Sequence, residues 1–305
     1  TIVEETNNLY INQTSDKVIL NWETFNVGKD ASVEFFQPSS TSTALNRVFA
    51  NDPSYIYGSL KANGQLIFIN PSGVIFKGGS KVDVGAMIAT SLNMSTNNFL
   101  NDEYIFENDN NFNALIQNNG ELNSYEGGII ALIANRVENN GSINTPSGSS
   151  ALLSGDKVEL SLDGNQLISY SIEKGSLNSL IENNHAINAT DGAVILSSKG
   201  KDEVLSAVIN NKGTIKANGI TKQGGKIFLS SKKGKIKNSG TMVASSEVSV
   251  GGKIEITGDH ITLKTGSVIN VTGKRGGGKA LVCLLYTSDA ADEGLGVDLG
   301  GRRII

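Results

Sequence analysis

Six carboxylates, Asp156, Glu159, Asp163, Asp191, Asp202 and Glu203, are the first candidates for chemistry. Gathered on one sheet face, such groups could cleave a polysaccharide, as an acid and base pair or around a calcium ion. Here they are scattered around turns, and the strand-like stretches between them hold mostly Ser, Lys and aliphatic residues. A solvated surface role is expected for them. His185 replaces the glycine of an Asn-Asn-Gly turn and His260 sits in GDHITL, so both are expected to be turn residues rather than bases or ligands. No GxGxxG, Walker loop, nucleophile elbow, HExxH or calcium-binding nonapeptide occurs. The single cysteine, Cys283, leaves the body of the chain without a disulfide, a thiol nucleophile or a thiolate metal site. No catalytic residue, cofactor or metal is therefore expected.

Two further groups of residues remain. Lys232, Lys233, Lys235 and Lys237 alternate around Gly234 and Ile236, which places several lysines on one exposed strand face. Such a face discourages edge-to-edge aggregation, and its sharper alternative is binding of acidic glycans. Asn70, Pro71, Ser72 and Gly73, followed by Val74, lie between the apolar stretches LIFI and VIFK. Proline fixes φ at the second position and glycine supplies a permissive fourth, so this is a tight turn.

The elements that must position these residues are short strands. The chain has 305 residues and 38% hydrophobic content, enough for a substantial core, with a formal net charge of only −4. The basic footprint of a nucleic-acid binder is missing. Glycine numbers 35 and proline only 4, a vocabulary of turns that tolerate positive φ. No apolar run approaches the ~20 residues of a membrane-spanning helix, and the opening TIVEETNNLYINQ lacks the charged and apolar regions of an export signal.

An Asn/Gly turn followed by an aliphatic residue recurs as NNGEL at Asn118, NNGSI at Asn139, NNHAI at Asn183, NNKGTI at Asn210 and NSGTM at Asn238. It alternates with a second element, a glycine pair or substitute leading into a short alternating strand: GGIIALIA, DGAVILSS, GGKIFLSS and GGKIEITG. Gly120 and Gly141 are 21 residues apart, and Gly213, Gly240 and Gly266 follow by 27 and 26. That period marks a solenoid, because one such unit cannot bury its apolar face alone. Stacked at about 4.8 Å per coil, the units predict parallel sheets around an aliphatic core, with Ile227, Leu229, Ile254 and Ile256 pointing inward. Asparagines at equivalent turns can bond amide to amide from coil to coil. A β-propeller would need units of about 40 residues.

Three irregular regions frame the repeats. Residues 1–60, rich in aromatics at Trp22, Phe25, Phe35 and Phe36, are expected to supply a cap and first coils. Within the repeats of 61–282, a stretch at about 93–113 is expected to loop outside the coils. Residues 283–305 abandon the pattern, resemble translated adapter sequence and are expected to be non-native.

The stretches NWETFNVG, VEFFQPSS, ALNRV and DPSYIYGSLKANGQLIFINPSGVIFKGGSKVDVGAMIATSLNMS resemble the filamentous-haemagglutinin-like, or haemagglutination-activity, secretion domain. GGIIALIANRVENNGSI and VEL near Leu160 extend the likeness along the chain. The resemblance implies an all-β, right-handed parallel β-helix with an N-terminal β cap and extra-helical insertions. It implies the N-terminal export domain of a large adhesin, haemolysin or contact-dependent toxin, secreted through the periplasm to the bacterial surface. The implied partner is an outer-membrane two-partner transporter, met through its periplasmic polypeptide-transport-associated domains. The family's Asn-Pro-Asn-Gly-Ile signature falls on Asn70, Pro71, Ser72, Gly73 and Val74, with Ser third and Val last. The family's Asn-Pro-Asn-Leu element has no counterpart. A monomer is expected, with no nucleic acid bound and no membrane-spanning segment. The alternatives are a self-standing adhesin module for glycans or host surface, or a polysaccharide-active enzyme.

Overall fold

A computed structural model describes residues 1–108, 114–201, 207–221 and 224–285. Short strands follow one another around a three-sided coil, and each pairs in parallel with the equivalent strand of the coils before and after it. The first side runs from Asn8–Asn12 and Ser32–Phe36 through Glu121–Ser124, Ser142–Asn144 and Ala186–Asn188 to Val268–Asn270. The second runs from Lys17–Trp22 and Thr43–Val48 through Ile129–Ile133, Ser149–Ser154 and Ala193–Lys199 to Lys279–Leu284. The third carries Ser54–Ile56, Gly73–Phe76, Leu115–Asn118, Arg136–Asn139, Ser179–Asn183 and Ala207–Asn211. This is the parallel β-helix that the repeats predict.

Alternate residues point inward, so Leu122, Ile143, Ile187, Ile215 and Met242 stack along the first side inside one continuous core. Ile227, Leu229, Ile254 and Ile256 lie in that core as expected. At the start, Ile2–Glu5 folds back antiparallel on Asn8–Asn12 through a tight turn at Thr6, whose φ is +38°. The strand covers the first side's edge, which would otherwise template pairing with other chains. Trp22 and Phe68 both pack edge-on against Phe25, with ring centroids 5.2 and 4.8 Å away, closing the end of the core.

In the middle coils, from Ser59–Ile69 to Ser149–Ser154, the second side is buried on both faces, which the alternating pattern did not convey. Ile129–Ile133 is read above as an alternating strand, yet all five residues are buried. The covering layer is a three-stranded antiparallel sheet of Tyr104–Glu107, Lys157–Asp163 and Gln166–Lys174, with Phe106 opposite Val158. Both excursions leave the coil between its second and third sides, so they emerge at the same corner and meet. Beneath them Leu45, Ile67, Ile88, Ile129, Ile133 and Leu153 form a second core with Phe99, Phe106, Val158 and Leu160. The VEL segment near Leu160 lies in the hairpin of Lys157–Asp163 and Gln166–Lys174, outside the coil. One expectation needs correction: His260 lies within the strand Lys253–Leu263 rather than in a turn. Cys283 and Leu284 still pair with Thr257 and Gly258, and residues 286–305 lie outside the described residues.

Candidate functional site

The Asn70 turn sits where the second side passes into the third. Gly73 N–H donates to the Asn70 carbonyl at 2.8 Å, closing the turn, and Gly73 takes a φ of +111° that disfavours other residues. A side chain there would also collide with the Leu115 carbonyl of the next coil. Asn70 is fully buried. Its Nδ2 donates to Ser54 Oγ at 2.9 Å and the Asp52 carbonyl at 3.2 Å, while its Oδ1 accepts from Ser72 N–H at 2.9 Å. Its backbone N–H donates to the Thr90 carbonyl at 3.0 Å. The side chain therefore ties the turn to the coil before it, and the backbone ties it to the coil after.

Val74 is buried in the core between Ser54 and Ile116. Only Pro71 and Ser72 of the motif are partly exposed, and Ser72 Oγ donates to the Ala50 carbonyl at 3.2 Å. Close to them lies a cavity of about 240 Å³ lined by Thr24, Phe25, Asp52, Pro53 and Tyr55. Phe49, 67% exposed, and Tyr57, 44% exposed, add apolar surface, and the Lys77 ammonium lies 4.8 Å from the Tyr55 ring centre. A partner reaching this corner meets Pro71, Ser72 and aromatic surface, never the Asn70 amide.

The asparagines of the repeated turns form a buried ladder. Asn118 Nδ2 donates to Asn139 Oδ1, Asn139 to Asn183 and Asn183 to Asn211, each at 2.8 Å, and Asn211 donates to Asn238 at 2.7 Å. All five are fully buried. Asn139 and Asn183 stay in register across the 44 residues that contain the hairpin. A second ladder links Asn119, Asn140 and Asn184, and a third links Asn123, Asn144 and Asn188. Glycines form a further stack at the corner before the second side, where a methyl on Gly148, Gly192, Gly225 or Gly252 would meet the carbonyl oxygen of the glycine one coil back.

Several anchors had no sequence signal. Asn46 accepts from the Trp22 indole at 3.0 Å, and Arg47 donates to the Met94 carbonyl at 2.8 Å and Thr96 Oγ1 at 3.0 Å. The ALNRV stretch thus fastens the cap on one side and the 93–108 excursion on the other. Burial lowers the pKa of the Arg47 guanidinium from its ordinary value. At the hairpin tip, Gln65 Nε2 donates to Asn165 Oδ1 at 2.7 Å and the Gly164 carbonyl at 2.8 Å.

Among the described residues the candidate carboxylates are not brought together. Asp156 accepts from Asn135 Nδ2 at 2.9 Å, Asp191 accepts from the Ile220 N–H at 2.8 Å, and Glu159 and Asp163 lie on the hairpin. Asp202 and Glu203 lie outside the described residues. Among the described residues no group of three or more His, Cys, Asp and Glu could hold a metal ion. His185 is exposed at its corner, and His260 is exposed beside Lys235. No helix among the described residues is long and apolar enough to cross a membrane.

A coil capped at its start and cross-bonded by buried amides is a repetitive scaffold. Comparison with known proteins identifies which scaffold. The family described as TPS secretion domain, where TPS denotes two-partner secretion, matches residues 1–256, and the chain belongs to it. Two heme/hemopexin-binding proteins of Haemophilus influenzae are similar, one 29% identical over 248 residues and one 30% identical over 247. These matches cover 72% and 74% of this chain but only 26% and 25% of the relatives, so the chain spans about a quarter of their length. The crystal structure of the HMW1 secretion domain from Haemophilus influenzae superposes with a TM-score of 0.85 at 30% identity, over 92% of this chain and 73% of that one. The resemblance read from NWETFNVG, ALNRV and the Asn70 turn is the correct one.

Proposed function

We propose that this domain hands a large exoprotein to its outer-membrane two-partner transporter, docking on the transporter's periplasmic polypeptide-transport-associated domains, and has no catalytic activity. The observation that carries this reading is the match of residues 1–256 to the secretion-domain family. The protein leaves the cell by way of the periplasm and reaches the bacterial surface. Each coil closes on its predecessor, so folding can start at the capped end and grow by nearest-neighbour contacts as the chain emerges. Pro71, Ser72 and the aromatic surface at Phe49 and Tyr57 are the recognition surface in this reading, and Asn70, Gly73 and Val74 hold it in shape.

The test is secretion of residues 1–280 behind a signal peptide, in cells with and without the cognate transporter. Transporter-dependent release into the medium is expected; periplasmic retention in both strains would refute the reading. Ser72→Lys, at a partly exposed position, is expected to reduce release with a loss of no more than about 1 kcal/mol for its bond to the Ala50 carbonyl, whereas Asn70→Ala is expected to lower release and to cost more stability.

A further inference from the structure

The two ends of the solenoid carry opposite charge. Residues 1–198 hold nine Lys and Arg against twenty-one Asp and Glu, whereas residues 199–285 hold fifteen against five. The chain's near-neutral total conceals this division.

The structure shows where part of that positive charge lies. On the second side, Lys199 is in register with Lys232, Lys226 with Lys253, and Lys253 with Lys279. Neighbours in such a ladder are about 4.8 Å apart, and like charges so placed repel. The cost is partly offset: the Lys253 ammonium pairs with Glu255 at 2.5 Å, and the Lys199 ammonium donates to the Ile172 and Glu173 carbonyls of the hairpin at 3.1 and 2.6 Å. Lys226, Lys232 and Lys237 are exposed, and Lys235 continues the row around the corner onto the third side. The antiparallel covering layer buries the second side as far as Ile195, holds Lys199 and reaches Phe228 at its margin, and the strands Lys253–Leu263 and Lys279–Leu284 continue the lysine-bearing face beyond it.

We propose that the coils from Lys226 to Lys279 form a binding face for a linear anionic polysaccharide, bearing sulfate or carboxylate groups. The chemistry favours this over nucleic acid. The region has one arginine, Arg275, and therefore lacks the row of planar forks suited to phosphate and guanine. Its aromatic side chain Phe228 is half-buried, with the Lys253 ammonium 5.6 Å from its ring centre, so no aromatic platform awaits stacked bases. What it offers is a ladder of point charges, which matches a flexible chain with anionic groups at intervals. This property is independent of export.

The experiment uses the full chain with heparin oligosaccharide, uncharged dextran and single-stranded DNA as probes at 0.15 M salt. Lys226→Glu/Lys232→Glu/Lys237→Glu is compared with Lys29→Glu/Lys61→Glu/Lys81→Glu, an equal charge change at exposed lysines of the early coils. Heparin binding that falls at least tenfold in the first variant and less than twofold in the second, with none to dextran, is expected. Replacing the first three lysines by arginine is expected to retain binding, which separates lost charge from lost folding. Absence of heparin binding by the wild type, equal losses in both glutamate variants, or tighter binding of DNA than of heparin would each overturn the proposal.

Discussion

Asn183→Ala, in the middle of the buried amide ladder, tests whether side-chain amides hold the coils together. In the native structure Asn183 accepts from Asn139 and donates to Asn211, each at 2.8 Å, with no exposure to water. Alanine removes both bonds, worth about 1 kcal/mol each, together with a weak one from Asn183 Nδ2 to the His185 carbonyl at 3.4 Å, and leaves the Asn211 oxygen buried without its donor, a further ~1–3 kcal/mol. Asn139 Nδ2 keeps a weaker bond to the Ala186 carbonyl at 3.3 Å. The expected loss is therefore about 3–5 kcal/mol. Asn238→Ala, at the last rung, breaks the bond from Asn211 and one from its own amide to the Gly240 carbonyl at 3.3 Å, and leaves the Asn211 amide nitrogen buried without its acceptor, so a similar loss of about 3–5 kcal/mol is expected. Urea unfolding followed by far-ultraviolet circular dichroism gives both values, and native-state hydrogen exchange shows whether the loss stays local in a nearest-neighbour stack. A loss below about 1 kcal/mol at either position would refute the ladder as a source of stability.

Three other perturbations follow the same physics. Gly192→Ala forces a methyl onto the Gly148 carbonyl and is expected to cost about 3 kcal/mol or more, whereas Gly277→Ala, with open space around it, should stay within about 0.5 kcal/mol, both measured by thermal unfolding. Arg47→Ala removes two charge-assisted hydrogen bonds to the 93–108 excursion and is expected to cost about 2 kcal/mol, with faster hydrogen exchange in those residues. The Glu173 carboxyl is held below the ordinary carboxylate range, chiefly by its hydrogen bond from Lys157. A depressed folded pKa stabilises above the unfolded value and is lost as pH falls through the folded one. The stability difference between wild type and Glu173→Gln should therefore be present at neutral pH and vanish in acid, as thermal unfolding across that range will show.

The coil was legible because its constraints are local and repeated. The Asn/Gly turns and glycine pairs mark corners, and the inward aliphatics of GGKIEITG mark a face. The amide ladder followed from equivalent turns alone. What stayed hidden depended on partners distant in sequence. Ile129–Ile133 is apolar on both faces because the sheet at Phe106 and Val158 covers it, and its uninterrupted run was the available sign of double burial. The Asp163-Gly164 pair between alternating stretches was likewise a hairpin signal, and it lies outside the repeated Asn/Gly turns. At the Asn70 turn, proline and glycine disclosed the bend, but nothing nearby in sequence disclosed that Asp52, Ser54 and Thr90 enclose the amide.

The bond from Gln65 to Asn165 joins residues 100 positions apart, and it sets a schedule. For as long as residues 157–174 have yet to arrive, the apolar outer surface at Leu45, Ile67, Ile88 and Ile129 faces water without its cover. A chain delivered from its first residue passes through an interval in which it is coiled yet sticky, and the hairpin ends that interval. The duration of exposure is thus written into the distance between an early coil and the late segment that shields it.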